Sequence, residues 1–291
     1  MKAKQVTVLS GKGGAGKTTL TASLVSLTRS CVVTDCDVDA SNLHLLLKPE
    51  VIDKKEFYGQ KKAKIETSKC IECGLCREAC RFDAIRNFEV DPILCEGCGV
   101  CAYICPAEAI NLEEEVSGYL YTSRTKYGFM CHAQLKPGEE NSGKLVNLVR
   151  KNAETLAEKN GLNLIINDGP PGIGCPVIAS VTGVDLGVVV TEPTLSGIHD
   201  LKRALTLLNH FGIKPLVCIN KYDLNLENTE RICTFCKANG IEVIGKIKFD
   251  PIITQSMVAG KPIVEYSPDN PVSKSIAEIW RRIMKELDLD V

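Results

Sequence analysis

A glycine-rich turn near the start of the chain is the feature that most restricts the possible folds. Residues 11–18 read GKGGAGKT and fit the pattern G-x-x-x-x-G-K-[ST]. They stand between a short apolar run at 5–9 and a helical pattern that begins at Lys17. In this context the pattern predicts a phosphate-binding loop, and the alternative of a merely structural turn is disfavoured by the complete motif. The chain is therefore expected to contain an α/β nucleotide-binding domain.

The residues of this loop have separate predicted roles. Backbone N–H groups turn inward on the phosphates, and the N-terminus of the following helix adds its dipole. Lys17 is expected to reach the β and γ phosphates and Thr18 to bind Mg²⁺. The predicted nucleotide contacts are Gly11, Lys12, Gly13, Gly14, Ala15, Gly16, Lys17, Thr18 and Thr19.

Strand and helix patterns alternate through most of the remaining chain. This order predicts a mostly parallel sheet covered by helices on both faces. The last helix carries one apolar face, which we interpret as covering the sheet, because acidic residues at its end disfavour the alternative of membrane binding. Strands are predicted at 5–9, 31–34, 162–166, 186–191, 216–219 and 241–246, and helices at 17–28, 144–158, 196–211, 227–239 and 272–287.

Eight of the 15 cysteines lie in two runs of C-x-x-C-x-x-C-x-x-x-C. This spacing is typical of bacterial ferredoxins with two [4Fe-4S] clusters, in which the fourth cysteine of each run ligates the other cluster. Zinc is the alternative, and two intact four-cysteine runs disfavour it. One departure is that Arg81, and not proline, follows Cys80. The predicted ligand sets are Cys70, Cys73, Cys76 and Cys105 for the first cluster and Cys80, Cys95, Cys98 and Cys101 for the second.

The cysteine-rich segment interrupts the α/β pattern. We predict a P-loop NTPase domain in two parts, 1–59 and 116–291, with an inserted α+β module of the bacterial ferredoxin type at 60–115. Without the insert, the remaining chain has an ordinary size for one nucleotide-binding domain.

The sequence GKGGAGKTT resembles the deviant Walker A motif of the MinD, ParA, nitrogenase iron protein and cytosolic iron-sulfur scaffold ATPases. In that family the early lysine, here Lys12, crosses a dimer interface to the phosphates of the partner subunit. The resemblance therefore implies an ATP-dependent homodimer.

Two further segments are similar to the switch regions of this family: DCDVDASNLH resembles switch I and DGPPG resembles switch II. In DCDVDASNLH the resemblance assigns Asp37 to the attacking water and to the surroundings of Mg²⁺, with Asp35 at the strand end. The alternative is that these are only carboxylates at an exposed strand end, and nearby His44 is interpreted as structural. In DGPPG the resemblance implies that Asp168 holds Mg²⁺ through water and that the Gly172 N–H senses the γ-phosphate.

The nucleotide base is predicted to be adenine. Residues 220–223 read NKYD and superficially resemble the guanine-reading motif of GTPases, but in the MinD group an asparagine at this place, here Asn220, contacts adenine. The later segment GKIKFDPIITQSMVAGKPIVEY resembles the base-binding loop of that group, which places Phe249 and Asp250 nearest the ring.

Four other cysteines were considered as ligands. Cys175 matches the spacing of a bridging-cluster cysteine in the nitrogenase iron protein, and with Cys131 it gives the hypothesis of a third, subunit-bridging cluster; ordinary buried thiols are the favoured alternative. Cys233 and Cys236 fall one turn apart in a predicted helix and are interpreted as core residues.

Composition limits the possible partners. With 35 basic and 36 acidic residues the formal net charge is −1, which disfavours nucleic acid as a partner. No apolar run is long enough to span a bilayer and no signal-peptide pattern is present, so we expect a cytoplasmic protein without stable membrane insertion.

Three functions are consistent with these patterns. The leading hypothesis is a slow ATPase whose nucleotide-dependent dimer gates electron transfer through two [4Fe-4S] clusters to or from an unknown redox partner. The alternatives are an assembly ATPase that delivers clusters to an acceptor protein, and a MinD-like spatial or regulatory ATPase with redox-sensing clusters.

Overall fold

The computed structural model describes residues 2–28, 30–139 and 142–290. It divides the chain into two compact units. The nucleotide unit comprises Met1–Lys54, Tyr121–Ala133 and Ser142–Val291, and the cysteine unit comprises Lys55–Leu120 and Gln134–Asn141.

Eleven strands are present in the described residues. They are β1 (Lys4–Ser10), β2 (Cys31–Asp35), β3 (Glu50–Ile65), β4 (Ile85–Arg86), β5 (Glu89–Val90), β6 (Ile110–Thr125), β7 (Gly128–Leu135), β8 (Leu164–Pro171), β9 (Leu186–Thr191), β10 (Lys214–Asn220) and β11 (Glu242–Ile247).

Eleven α-helices accompany these strands in the same described residues. They are α1 (Lys17–Leu27), α2 (His44–Leu47), α3 (Leu75–Ala79), α4 (Val100–Tyr103), α5 (Ser142–Lys159), α6 (Cys175–Val181), α7 (Leu195–His210), α8 (Leu226–Ala238), α9 (Ile252–Val258), α10 (Ile263–Tyr266) and α11 (Pro271–Glu286). None of the helices in residues 2–28, 30–139 and 142–290 is both long and apolar enough to cross a membrane.

The large sheet has the order β11-β10-β9-β1-β8-β2-β7-β6-β3. The pairs from β11 to β7 are all parallel, which confirms the predicted α/β class with a mostly parallel sheet. Side chains alternate between two apolar cores: Val188 and Val190 of β9 face one core, and Val189 faces the other. Central strands are apolar on both faces because helices cover both.

The strand order brings the predicted nucleotide residues to one edge of the sheet. β1, β8 and β2 are adjacent, with Val8 and Asp35 each in register with Asp168. Parallel strands place their carboxyl ends at the same edge, so the loop after β1 lies beside Asp35 at the end of β2 and Asp168 in the second half of β8.

The C-terminal helix covers the sheet, as predicted. In α11 the apolar face is buried, with Ile279 fully inaccessible and Trp280 3% exposed. A Cβ on Gly245 of β11 would lie 2.3 Å from Ile279 Cγ1, so the helix packs directly on the strand. The membrane-binding alternative is therefore wrong for this face.

The cysteine unit has a small core of its own. β4 and β5 form an antiparallel hairpin in which Ile85 pairs with Val90. The buried residues are Ala63, Cys76, Ala84, Ile85, Cys95 and Ile110. Three further cysteines, Cys80, Cys101 and Cys105, are partly buried and pack against this core. The cysteine side chains thus make up much of the interior of this unit.

Candidate functional site

The phosphate-binding loop is fixed from behind by Asn220. Gly16 has φ 93°, and a Cβ there would lie 2.3 Å from Asn220 Nδ2, so both the left-handed backbone and the close approach require glycine. Asn220 Nδ2 donates to the Ala15 carbonyl at 2.9 Å. The residue predicted to contact the base therefore also braces the loop.

Lys17 is held in the interior of the loop. It is 8% exposed, and its Nζ donates to Ser10 Oγ at 3.0 Å, which in turn donates to the Lys12 carbonyl at 2.5 Å. Burial lowers the pKa of Lys17, while the nearby carboxylates Asp168 and Asp37 oppose that effect. The ammonium group is thus positioned beside the predicted Mg²⁺ residues.

Asp168 is buried and receives two hydroxyl donors from α1. Thr18 Oγ1 donates to Oδ2 at 2.7 Å, and Thr21 Oγ1 donates to Oδ1 at 2.8 Å. Burial, with the negative charge of Asp35 second, raises the pKa of Asp168 to about 7. Carboxylate and hydroxyl oxygens are ligands suited to Mg²⁺, and a divalent cation there would favour the ionised carboxylates. These residues fit the predicted metal.

Asp35 shapes the loop that carries Asp37. Its carboxylate accepts from Ser41 Oγ at 2.7 Å and from the Leu43 N–H at 3.1 Å, and the Asp37 N–H donates to it at 3.1 Å. Burial raises the pKa of Asp35 despite these donors. Asp37 Oδ1 accepts from the Ala40 N–H at 3.2 Å, which keeps it at the rim of the site.

Lys12 is paired within its own chain. Its ammonium contacts Glu192 and lies 3.3 Å from Ser196 Oγ. Glu192 also pairs with Lys221 Nζ at 3.3 Å, and that ammonium donates to the Gly14 carbonyl at 3.3 Å. Burial alone would raise the pKa of Glu192, but hydrogen bonds from both lysines outweigh it and lower the pKa.

Three further residues that were predicted to contact the nucleotide are engaged in hydrogen bonds within the chain. Phe249 is 47% exposed, and its N–H donates to Asp223 Oδ1 at 2.7 Å. Asp250 accepts from the Ile252 N–H at 3.0 Å, and this hydrogen bond lowers its pKa. The Gly172 N–H donates to the Ser10 carbonyl at 3.0 Å, so sensing of a γ-phosphate by this group requires that hydrogen bond to break.

Two cavities in the cysteine unit are each lined by four cysteines. One cavity, of about 20 Å³, is lined by Cys70, Cys73, Cys76 and Cys105. The other, also of about 20 Å³, is lined by Cys80, Cys95, Cys98 and Cys101. The fourth cysteine of each run thus faces the cavity of the other run. This grouping corresponds to the predicted crossed ligand sets.

Backbone donors point at two of these sulfur atoms. The Ala63 N–H donates to Cys95 Sγ and the Ala109 N–H to Cys105 Sγ, each at 3.4 Å. Burial raises the pKa of the Cys76 and Cys101 thiols, and the neighbouring cysteines add to the effect. Bound iron would favour the thiolates.

Across the described ranges, no group of three or more His, Cys, Asp or Glu is arranged to hold a single metal ion. A [4Fe-4S] cluster makes a different demand, because its four thiolates bind four separate irons. The fit of such a cluster is therefore judged by the two four-cysteine cavities.

Comparison with known proteins assigns the family. The model of the CobQ/CobB/MinD/ParA nucleotide binding domain matches residues 6–263. The chain belongs to this family. It is therefore a nucleotide-binding protein of the MinD/ParA type, as the loop motif predicted.

Relatives and solved structures agree with this assignment. The chain is 35% identical to an uncharacterised protein of Methanocaldococcus jannaschii over 96% of each chain. It is 23% identical to an iron-sulfur cluster carrier protein of Pyrococcus abyssi, covering 97% of this chain and 86% of that protein. The fold matches the septum site-determining protein MinD of Pyrococcus horikoshii, solved with Mg-ADP, with a TM-score of 0.60, 18% identity and coverage of 97% and 96%.

The two cysteines of the bridging-cluster hypothesis differ in exposure in this MinD/ParA-family protein. Cys131 is fully buried in β7, in register with Thr34 of β2. Burial raises the pKa of its thiol to about 12, and a subunit-bridging ligand must be an accessible thiolate. The burial of Cys131 agrees with the favoured interpretation of this residue as an ordinary buried thiol. Cys175 is exposed at the start of α6.

The interpretation of Cys233 and Cys236 as core residues is confirmed. Both lie in α8, and Cys236 is fully buried. Cys233 packs against the same apolar cluster.

A stack of rings beside switch I of the MinD/ParA domain was not found from the sequence. The His44 and His132 ring centroids are 6.3 Å apart at 17°, and His132 and Tyr121 are 4.9 Å apart at 14°. Lys54 Nζ lies 5.7 Å from the Tyr121 centroid. His132 Nδ1 is buried without a hydrogen-bond partner among the described residues. The stack links α2, which follows switch I, to β7, β6 and β3.

Acid is expected to destabilise the protein through His132. Burial, with His44 second, lowers the pKa of His132 from 6.5 to about 4. Between these values the unfolded chain binds a proton that the folded chain does not, so this contribution to stability is complete above pH 6.5 and declines as the pH falls toward 4. His132→Phe keeps the ring but removes the titration.

The measurement is denaturant unfolding at pH 7.5 and pH 4.5. The wild type should lose more unfolding free energy between these conditions than His132→Phe. The control is His199→Phe, at an exposed position, which should behave as the wild type. Equal losses in the wild type and His132→Phe would contradict the prediction.

Proposed function

We propose that this protein is a slow ATPase in which a nucleotide-dependent homodimer gates electron transfer through two [4Fe-4S] clusters. The observation that carries the proposal is the presence, in one MinD/ParA-family chain, of a Walker-type site and two cavities that are each lined by four cysteines. Cys70, Cys73, Cys76 and Cys105 would hold one cluster and Cys80, Cys95, Cys98 and Cys101 the other, which would supply one-electron redox chemistry.

In the ATPase step, the chain positions charge around the transferred phosphoryl group. Lys17 binds the β and γ phosphates, and Thr18 with Asp168 holds Mg²⁺. Asp37 orients the attacking water. Lys12 leaves Glu192 and reaches the nucleotide of the partner subunit, where it stabilises the charge that develops in the transition state. Because that contact requires a second copy, hydrolysis depends on dimer formation.

Coupling between the nucleotide site and the cysteine unit is supported by the chain segment that follows switch I. Asp37 lies in the loop that leads to α2, and His44 of α2 begins the ring stack through His132 and Tyr121 to Lys54. The chain passes into the cysteine unit along β3 and returns along β6. A rearrangement of switch I would therefore act on the strands that enter and leave that unit.

A second function, delivery of clusters to an acceptor protein, is favoured by a specific observation. Proteins of Pyrococcus abyssi and Aquifex aeolicus with which the chain shares 23% and 28% identity are iron-sulfur cluster carrier proteins. The four cysteines that line each cavity favour retained clusters, because fully ligated iron is released with difficulty. Anaerobic purification, followed by iron counting and EPR with and without MgATP, tests both functions. If the protein gates electron transfer, MgATP should change the reduction of iron that stays bound. If it delivers clusters, MgATP should release iron to an acceptor protein.

A further inference from the structure

A buried lysine lies against the second cysteine set. Lys62 is 6% exposed, and its Nζ donates to the Cys95 carbonyl at 2.8 Å. Glu139 lies on its other side, with 3.8 Å between Lys62 Nζ and Glu139 Oε1, and the Glu139 side chain is 13% exposed. An ammonium group is costly to bury, so its place beside a predicted cluster ligand calls for an explanation.

The position of Lys62 is fixed by the backbone around it. The adjacent Ala63 N–H donates to Cys95 Sγ at 3.4 Å. On the other side, a Cβ on Gly97 would lie 2.0 Å from the Lys61 carbonyl oxygen, and Gly97 has φ 60°. The segment 61–63 and the loop 95–97 are therefore in direct contact, and the ammonium group is held at a constant place relative to Cys95.

The cavity of the first cysteine set has no charged side chain in its lining among the described residues. This cavity is lined, apart from its four cysteines, only by glycine, alanine and the apolar residues Ile65, Ile71, Leu75, Phe88 and Ile110. Each set has one backbone N–H···S hydrogen bond, to Cys105 in the first and to Cys95 in the second. Lys62 is not part of the lining of the second cavity, but its hydrogen bond to the Cys95 carbonyl places a buried ammonium group directly beside a ligand of the second set.

Glu96 lines the second cavity. Its negative charge counteracts the electrostatic effect of the Lys62 ammonium group on the cysteine set. Glu96 is only partly buried, so water screens its charge more than that of the buried ammonium. The electrostatic effect of Lys62 on the second set should therefore dominate.

We propose that Lys62 makes the cluster held by Cys80, Cys95, Cys98 and Cys101 the higher-potential cluster, and that Glu139 limits this effect. The inference rests on the proposed presence of two clusters. One-electron reduction adds a negative charge, which a buried cation stabilises, and nearby charge and hydrogen bonding are known to set cluster potentials. Of two otherwise similar clusters, the second is then reduced first, and a single electron resides there.

The test is a potentiometric EPR titration of the anaerobically purified, full-length protein. Lys62→Met should lower one of the two midpoint potentials, and Glu139→Gln should raise the same one. The other potential should stay unchanged in both variants. Lys64→Met is the matched control, because Lys64 is 68% exposed and pairs with Glu113. It should shift neither potential.

Opposite shifts separate an electrostatic role from a structural one, because a merely structural disturbance gives no reason for opposite signs. Cys73→Ser, which alters the first set, assigns the signals. If both variants shift the potential in the same direction, or neither shifts it while iron remains at about eight atoms per chain, the proposal is overturned and the two-cluster function stands. If the wild type itself binds no iron, both fail.

Discussion

Lys12→Ala is expected to abolish ATP-dependent dimerisation and to slow ATP hydrolysis by about 10²-fold, while ATP binding by the monomer is retained. Lys12 lies at the rim of the site, with 32% of its side chain exposed and its ammonium paired with Glu192. In the proposed site, Lys17 and Thr18 would hold the phosphates and Mg²⁺ without it. The loss should therefore affect the step that needs two subunits.

Three measurements check this prediction: light scattering with and without MgATP, phosphate release, and binding of a fluorescent ATP analogue. Lys221→Ala is the matched control, because Lys221 pairs with the same Glu192 but lies outside the loop motif. It should still dimerise. Glu192→Gln should shift dimerisation to lower ATP concentrations, because it frees Lys12. Unchanged dimerisation and hydrolysis in Lys12→Ala would contradict a role across the dimer.

Substitution of single cysteines is expected to divide the eight into two sets that cross the two sequence runs. Cys105→Ala should remove or alter the same EPR signal as Cys70→Ala, although Cys105 belongs to the second sequence run and Cys70 to the first. Cys80→Ala should share its effect with Cys95→Ala. The reason is the lining of the two cavities, in which each run contributes three cysteines to one cavity and its fourth to the other.

Iron content should fall by about half in each of these variants. Cys233→Ala is the control, because Cys233 packs in the core of the nucleotide unit, and it should keep all its iron. If Cys105→Ala and Cys95→Ala lost the same signal, the ligand sets would follow the runs and the crossed arrangement would be wrong.

The features found from the sequence are those whose chemistry needs several residue types at fixed spacing. The loop at 11–18 and the acid at the end of β8 have such spacing, and their placement follows from the order of parallel strands. The repeated cysteine runs likewise predicted a grouping that corresponds to the two cavities.

The features that were not predicted from the sequence have no local signal in it. β3 and β6 are 16 residues each. Much of β3 and the first part of β6 are exposed, so their charged residues gave no strand pattern. Glu192 was not predicted because its importance arises only when β9 brings it to Lys12. His44 was interpreted as structural, since its partner His132 is distant in the chain.

Cys131 shows the limit of inference from spacing. Its place upstream of Cys175 suggested a bridging ligand, but spacing carries no information about exposure. The strand β7 buries the thiol beside Asn152, whose Nδ2 lies 3.5 Å from Sγ. Burial is a tertiary property, and the structure was needed to show it.

The central claim is that the nucleotide site and the cysteine unit are coupled. The most direct test is the rate at which a chemical reductant reduces the anaerobically purified protein, followed by EPR, with MgATP, with MgADP and without nucleotide. The rate is expected to change with MgATP in the wild type and to be insensitive to it in Lys12→Ala. Identical rates in the wild type under all three conditions, with iron content and ATP binding intact, would contradict the account.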